Sequence, residues 1–233
     1  MSTMAEPLTG IRACLFDVYG TLFDVHAPVS SRLIRVGDPA VERALSDTWR
    51  RKQLEYTWLR TVMGEHVDFW TITGQALDYA MASVGLNDKV LRAKLMEAYL
   101  ALPPFPDTRP VIEALSAAGM PLGILSNGTP VMLSAVLATA GLTGHFSQVL
   151  SVESVGAFKP AREVYALGPE ALGMAPHEIA FVSSNGWDIA GAAHFGYSAV
   201  WINRGDLPAD GLPGAPKAVL GGLSQLPALL GKA

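Results

Sequence analysis

The sequence predicts an α/β protein: a doubly wound, mostly parallel, Rossmann-like sheet with a helical cap inserted after its first strand. Three observations carry this. Short apolar runs recur between helical stretches along most of the chain. These runs are apolar throughout and not alternating, as strands covered on both faces are. One block, residues 40–100, carries helical patterns alone.

In chain order, the first strand is expected at residues 11–16, apolar and followed by a glycine turn. Helical stretches follow at 49–62, 69–84 and 88–100, separated by Gly64 and Gly85 and ended by Pro103, Pro104 and Pro106. The chain then returns to alternation. Strands are expected at 121–126 and 179–183, with a weaker one at 149–152 and another at 198–202. The helices between them are expected at 110–118, 130–140, 163–172 and 188–195. Residues 205–214, rich in Gly and Pro, read as a surface loop. The expected division is a core domain of residues 1–23 and 104–233 and a cap domain of residues 24–103.

Composition narrows the function classes. At 233 residues, the chain makes one large domain or a domain with a sizeable insertion. Half of it is hydrophobic and 16% is charged, which supports a packed core. A net charge of −4 speaks against a nucleic-acid partner. The single cysteine, Cys14, excludes an intrachain disulfide and reads as a small buried hydrophobe. The five histidines make no ligand pair at helical spacing, so no metal site is expected from them. Residues 1–10 lack the apolar run of a signal peptide, and no stretch reaches a membrane span of about 20 apolar residues. A cytoplasmic protein with no membrane partner is the expectation.

In an open α/β sheet, ligands bind beyond the carboxyl ends of the strands. The polar residues there are Asp17, the pair Ser126-Asn127, the stretch from Ser183 to Asp188, and Lys159 after the weaker strand. A lone strand-end aspartate is ordinarily a turn or cap residue. Three further strand ends carrying polar groups favour the other reading, a carboxylate nucleophile able to form an ester.

The run Asp17-Val18-Tyr19-Gly20-Thr21-Leu22 resembles the first motif of the haloacid dehalogenase superfamily. Ser126, Lys159 and the stretch Ser183 to Asp188 resemble its other three. Together with Trp49-Arg50, Leu125-Ser126-Asn127-Gly128 and Phe158-Lys159-Pro160, the chain resembles the L-2-haloacid dehalogenases within it. The resemblance implies hydrolysis of a small 2-haloacid without cofactor, in a homodimer. Superfamily phosphatases place a second aspartate two residues after the nucleophile, where this chain has Tyr19; Asn185 also thins the acidic pair of the fourth motif. A divalent cation wants several oxygen ligands. Phosphoryl transfer suffers from losing the acid and the metal, whereas halide leaves without a proton.

The roles implied are as follows. Lys159 counters the charge of an anionic substrate meeting an anionic nucleophile; otherwise it is an exposed loop lysine. Ser126 binds the substrate carboxylate, or merely shapes the turn before the helix that Thr129 and Pro130 begin. Arg50 and Asn127 receive the halide beside the Trp187 ring edge. The run Arg50-Arg51-Lys52 otherwise reads as a solvated helix face, which suits Lys52. Arg51 stands where relatives often carry glutamine. Tyr19, Leu54, Phe69 and Trp187 touch the substrate alkyl group, though Leu54 and Phe69 equally suit a cap core. Thr21 orients Asp17, and Tyr165 supports the site. Asp188, Asn185 and Ser183 serve ester hydrolysis, unless Asp188 only caps its helix. Two rivals stay open: a phosphatase of the same superfamily, and a catalytically dead domain used for binding. The preferred halogen and chain length also stay open.

Overall fold

The computed structural model describes residues 7–30, 34 and 36–232; the expectations for residues 1–6, 31–33, 35 and 233 lie outside the described residues. The centre is a six-stranded sheet: β1 (Ala13–Phe16), β2 (Leu122–Ser126), β3 (Gln148–Ser151), β4 (Ile179–Ser183), β5 (Ser198–Ile202) and β6 (Ala218–Leu220). Its order is β3-β2-β1-β4-β5-β6 and every neighbouring pair is parallel. The chain walks outward from β1 to β3, then crosses back and walks outward from β4 to β6. The direction of winding therefore switches between β1 and β4, and a crevice opens beyond their carboxyl ends.

The apolar runs form strands because helices cover both faces of the sheet. Each residue of β1, β2, β4 and β5 is buried. Cys14 is fully buried, as expected of a small hydrophobe, and burial pushes its thiol up to about 12. β3 lies at an edge, which explains its weaker pattern and partial exposure. β6, three residues beyond the Gly- and Pro-rich loop, escaped the sequence reading because it is too short to show periodicity.

The helices are α1 (Ala27–Ser30), α2 (Pro39–Met63), α3 (Phe69–Ser83), α4 (Lys89–Tyr99), α5 (Thr108–Ala117), α6 (Pro130–Thr139), α7 (Arg162–Leu172), α8 (Gly186–Phe195) and α9 (Leu226–Leu229). Helix α2 starts at Pro39, well before the expected residue 49. Asp38 caps it, accepting from the Ala40 and Val41 amides at 2.8 and 3.1 Å, and Pro39 suits the first turn. That opening stretch lies in the block from residue 40 that carries helical patterns, so the start of the helix, not its presence, was placed too late. Asp68 and Asp88 cap α3 and α4 in the same way. Helices α2 and α3 are joined by the Trp49 indole, whose Nε1 donates to the Thr73 carbonyl at 2.9 Å. The α2–α4 block thus lies in the chain between β1 and β2. No helix among the described residues is long and apolar enough to cross a membrane.

Candidate active site

Asp17 directly follows β1, and its amide donates to the Val182 carbonyl of β4 at 2.9 Å. This seats the carboxylate at the switch of the sheet. The next residues must turn away at once. Gly20 takes φ +90°, a conformation costly for other residues, and its amide closes the turn on the Phe23 carbonyl at 2.8 Å. The turn brings Thr21 back, so that its hydroxyl donates to Asp17 Oδ2 at 2.9 Å. Thr21 Oγ1 also accepts the Ser184 amide at 2.8 Å, tying the β1 loop to the β4 loop. Asn185 Nδ2 donates to the same Asp17 Oδ2 at 2.9 Å.

Asp17 Oδ1 faces Lys159 Nζ at 3.0 Å, and the same ammonium meets Asp188 Oδ2 at 3.0 Å. Lys159 is 1% exposed, so the exposed-loop reading of it is wrong. Its burial is built by the Phe158 amide, which donates to Thr61 Oγ1 at 3.1 Å, and by its own amide, which donates to Asn127 Oδ1 at 3.0 Å. Burial alone would push the ammonium down; the two carboxylates outweigh it and leave Lys159 above its ordinary value. Asp188 is fully buried at the start of α8 and makes no side-chain cap there. Its Oδ1 accepts the Tyr165 hydroxyl at 2.7 Å. Burial and the neighbouring Asp17 charge hold the Asp188 carboxyl above the usual range, although Lys159 and Tyr165 oppose them. One ammonium thus bridges two carboxylates in a nearly dry site.

Arg50 reaches down from α2. Its Nη2 donates to the Tyr19 carbonyl at 3.2 Å and to Asn185 Oδ1 at 3.1 Å, and its Nη1 to Gln53 Oε1 at 2.8 Å. The solvated-face reading therefore does not hold for Arg50. Nor does it hold for Lys52, which pairs with Glu55 at 2.7 Å and lies 4.5 Å from the Tyr79 ring centre. Arg51 does face solvent, with a loose contact of 3.9 Å to Glu55.

Tyr19 is 3% exposed and packs its ring against Phe69 and Tyr99, at 5.6 and 5.5 Å between centroids. Gly128 makes room for it: a Cβ there would fall 2.7 Å from the Tyr19 ring. The Tyr19 hydroxyl is buried without a hydrogen-bond partner among the described residues, a costly arrangement for a group that burial keeps protonated. Ser126 Oγ accepts the Gly128 amide at 3.2 Å, which makes the turn and leaves its hydrogen to donate elsewhere. Ser183 is also buried, and its Oγ accepts the Asn185 amide at 3.1 Å.

Leu54 is half-buried, one turn after Arg50. Trp187 and Lys159 line one groove together, of about 500 Å³, with Trp58, Thr61 and Leu212. The Trp187 ring meets Trp58 edge-on at 5.4 Å. The sequence reading missed Gln53, Thr73 and Tyr99. Gln53 is 1% exposed; its Nε2 donates to Thr73 Oγ1 at 2.8 Å and to the Tyr99 hydroxyl at 3.0 Å, while its Oε1 accepts from Arg50. Spacing three residues after Arg50 on one helix was the available signal. Nothing local could have signalled Tyr99.

Residues 11–196 match the family model described as haloacid dehalogenase-like hydrolase. The chain is 43% identical to (S)-2-haloacid dehalogenase 1 of Pseudomonas sp. (strain CBS-3) over 221 residues, covering 94% of this chain and 96% of that one. A solved dehalogenase superposes with a TM-score of 0.92 at 41% identity, covering 96% of this chain and 98% of its own. The L-2-haloacid dehalogenase from Xanthobacter autotrophicus with chloropropionic acid covalently bound superposes with a TM-score of 0.83 at 37% identity, covering 94% and 98%.

Proposed function

The chain belongs to the haloacid dehalogenase-like hydrolase family, and on that premise we propose that it hydrolyses short-chain L-2-haloalkanoic acids to D-2-hydroxy acids and halide, without metal, through an ester on Asp17. The observation that carries this is the Lys159 ammonium held at 3.0 Å from both Asp17 and Asp188. It occupies the space between the two carboxylates that a cation would need, and Tyr19 stands in place of a second acid. The donor set therefore fits an ammonium and not a divalent metal. The covalently bound chloropropionic acid of the Xanthobacter relative supports the ester.

Asp17 Oδ2 already accepts two hydrogen bonds, from Thr21 and Asn185, and Oδ1 accepts one, from Lys159. Oδ1 keeps a free lone pair and is the attacking atom. It forms a bond to C-2 as the carbon–halogen bond breaks and the halide departs with the electron pair on the opposite side. Arg50 and Asn127 donate to the departing halide. Ser126 and the orphaned Tyr19 hydroxyl donate to the substrate carboxylate, which gives that buried donor its missing partner. Tyr19, Leu54, Phe69 and Trp187 surround the alkyl group.

Water then attacks Asp17 Cγ while Asp188 takes one of its protons, aided by a carboxyl already shifted toward its protonated form. Ser183 and Asn185 hold the β4 loop that frames this step. The ester bond breaks, the hydroxy acid leaves with the proton from Asp188, and Asp17 returns its own to solvent. Attack inverts C-2 and hydrolysis leaves it untouched, so an L-haloacid gives a D-hydroxy acid.

The division into a core of residues 1–23 and 104–233 and a cap of 24–103 belongs to this reading. With Asp17 only 6% exposed, substrate entry requires the α2–α4 block or Arg50 to move. A cytoplasmic location and a homodimer belong to it as well; the exposed apolar residues Leu59, Val62 and Met63 at the end of α2 support the dimer alone. The test is direct. The protein releases chloride and D-2-hydroxypropionate from L-2-chloropropionate at the same rate with and without EDTA, and does not hydrolyse p-nitrophenyl phosphate with magnesium. Activity lost to EDTA and restored by magnesium would overturn the metal-free reading.

A further inference from the structure

Glu153 lies outside the polar cluster, in the single turn Val152–Ser154 that follows β3. Its backbone is anchored toward the site. Its amide donates to Ser151 Oγ at 3.3 Å, and Ser151 in turn donates to the Gly128 carbonyl at 2.7 Å, in the loop beside Tyr19. Its carboxylate points the other way, across to the helical block. Oε1 accepts the Phe69 amide at 3.2 Å, and Oε2 meets His66 Nε2 at 3.1 Å. Phe69 is the first residue of α3, so its amide has no partner within the helix, and a carboxylate is the favoured one there. The His66 ring lies against Phe158, 4.9 Å between centroids. The Phe69 ring packs between Phe158, at 6.2 Å, and Tyr19, at 5.6 Å.

Glu153 thus links the loop that carries Gly128, through its backbone and Ser151, to the backbone of a residue walling the pocket, through its carboxylate. The geometry points to Glu153 as a positioning residue: it fixes Phe69 against Tyr19 and so sets the fit of the pocket to the substituent on C-2 of the substrate. This rests on the dehalogenase reading. A merely structural tie would slow all substrates alike when cut. A positioning tie changes the ratio between a substrate with a C-2 methyl and one without, because only the former needs the wall.

The experiment compares kcat/KM for L-2-chloropropionate and chloroacetate in wild type, Glu153→Ala, Glu153→Gln and His66→Leu, with amide hydrogen exchange read at Phe69. A pocket methyl contributes roughly tenfold or more to discrimination. Glu153→Ala is expected to shift the ratio about tenfold toward chloroacetate and to speed exchange at Phe69. Glu153→Gln keeps an oxygen for the Phe69 amide and stays near the wild-type ratio. His66→Leu frees the carboxylate and shifts the ratio partway in the same direction, which keeps the test open if Glu153→Ala does not fold. An unchanged ratio in whichever of Glu153→Ala and His66→Leu folds overturns the proposal, as does a Phe69 amide equally protected without Glu153. No halide from the wild type overturns the functional reading and the substrate half of the proposal with it. The exchange measurement still judges the tie, since it needs no substrate.

Discussion

Lys159→Met lowers kcat/KM for L-2-chloropropionate by about a hundredfold to a thousandfold, the usual cost of removing one preorganised charged donor. The reason is electrostatic. The unmodified site balances Asp17 and Asp188 with Lys159 and Arg50, and the substrate adds a negative charge. Without the ammonium, two carboxylates face each other in a nearly dry cavity, and the approach of a haloacid is repelled from both. The same change has two pH signatures. Asp188 loses the neighbour that opposes its upward shift, so the acid limb of activity moves to higher pH in the variant. Lys159 itself is raised above 10.5, which favours the charged form in the fold. Its stabilising contribution is therefore complete below the unfolded lysine value of about 10.4 and is lost as pH rises through the folded one. Urea midpoints measured across alkaline pH show that loss in the wild type and not in Lys159→Met. Turnover within a few-fold of wild type would mean that the ammonium serves only the fold.

Arg50→Ala lowers turnover about a hundredfold, near 3 kcal/mol of lost donor interaction. The helix it leaves is expected to stay folded, because the guanidinium makes only polar interactions there and the Trp49 and Gln53 bonds to Thr73 persist. Arg50 is at present shared among the Tyr19 carbonyl, Asn185 and Gln53. A halide developing beside it offers a charged acceptor in place of the Tyr19 carbonyl. The loss falls mainly on the first step, so it is read as slower halide release in single turnover. Equal halide release in wild type and variant would assign the halide to another donor.

β1, β2, β4 and β5 were legible because each is short, almost wholly apolar and buried along its length. Asp17, Lys159 and Asp188 were legible as polar residues after strands and Thr21 through the family resemblance, and the structure brings all four into one hydrogen-bonded cluster. What stayed hidden was of two kinds. The three-residue β6 carries no periodic signal. Tyr99 and Glu153 act through partners distant in sequence, as Gln53 does toward Thr73 and Tyr99, and only packing brings these together. Lys52 was misread because its charge suggested water, whereas its ammonium lies over the rings of Tyr56 and Tyr79 and pairs with Glu55.

The central claim is that Asp17 is a nucleophile and not a general base. Both routes invert C-2, so stereochemistry does not separate them. One turnover in heavy-oxygen water, with enzyme in excess over L-2-chloropropionate, does. An ester on Asp17 gives an unlabelled first hydroxy acid and places the label in the peptide that contains Asp17, because water attacks Cγ and not C-2. A labelled first product with an unlabelled Asp17 peptide contradicts the account.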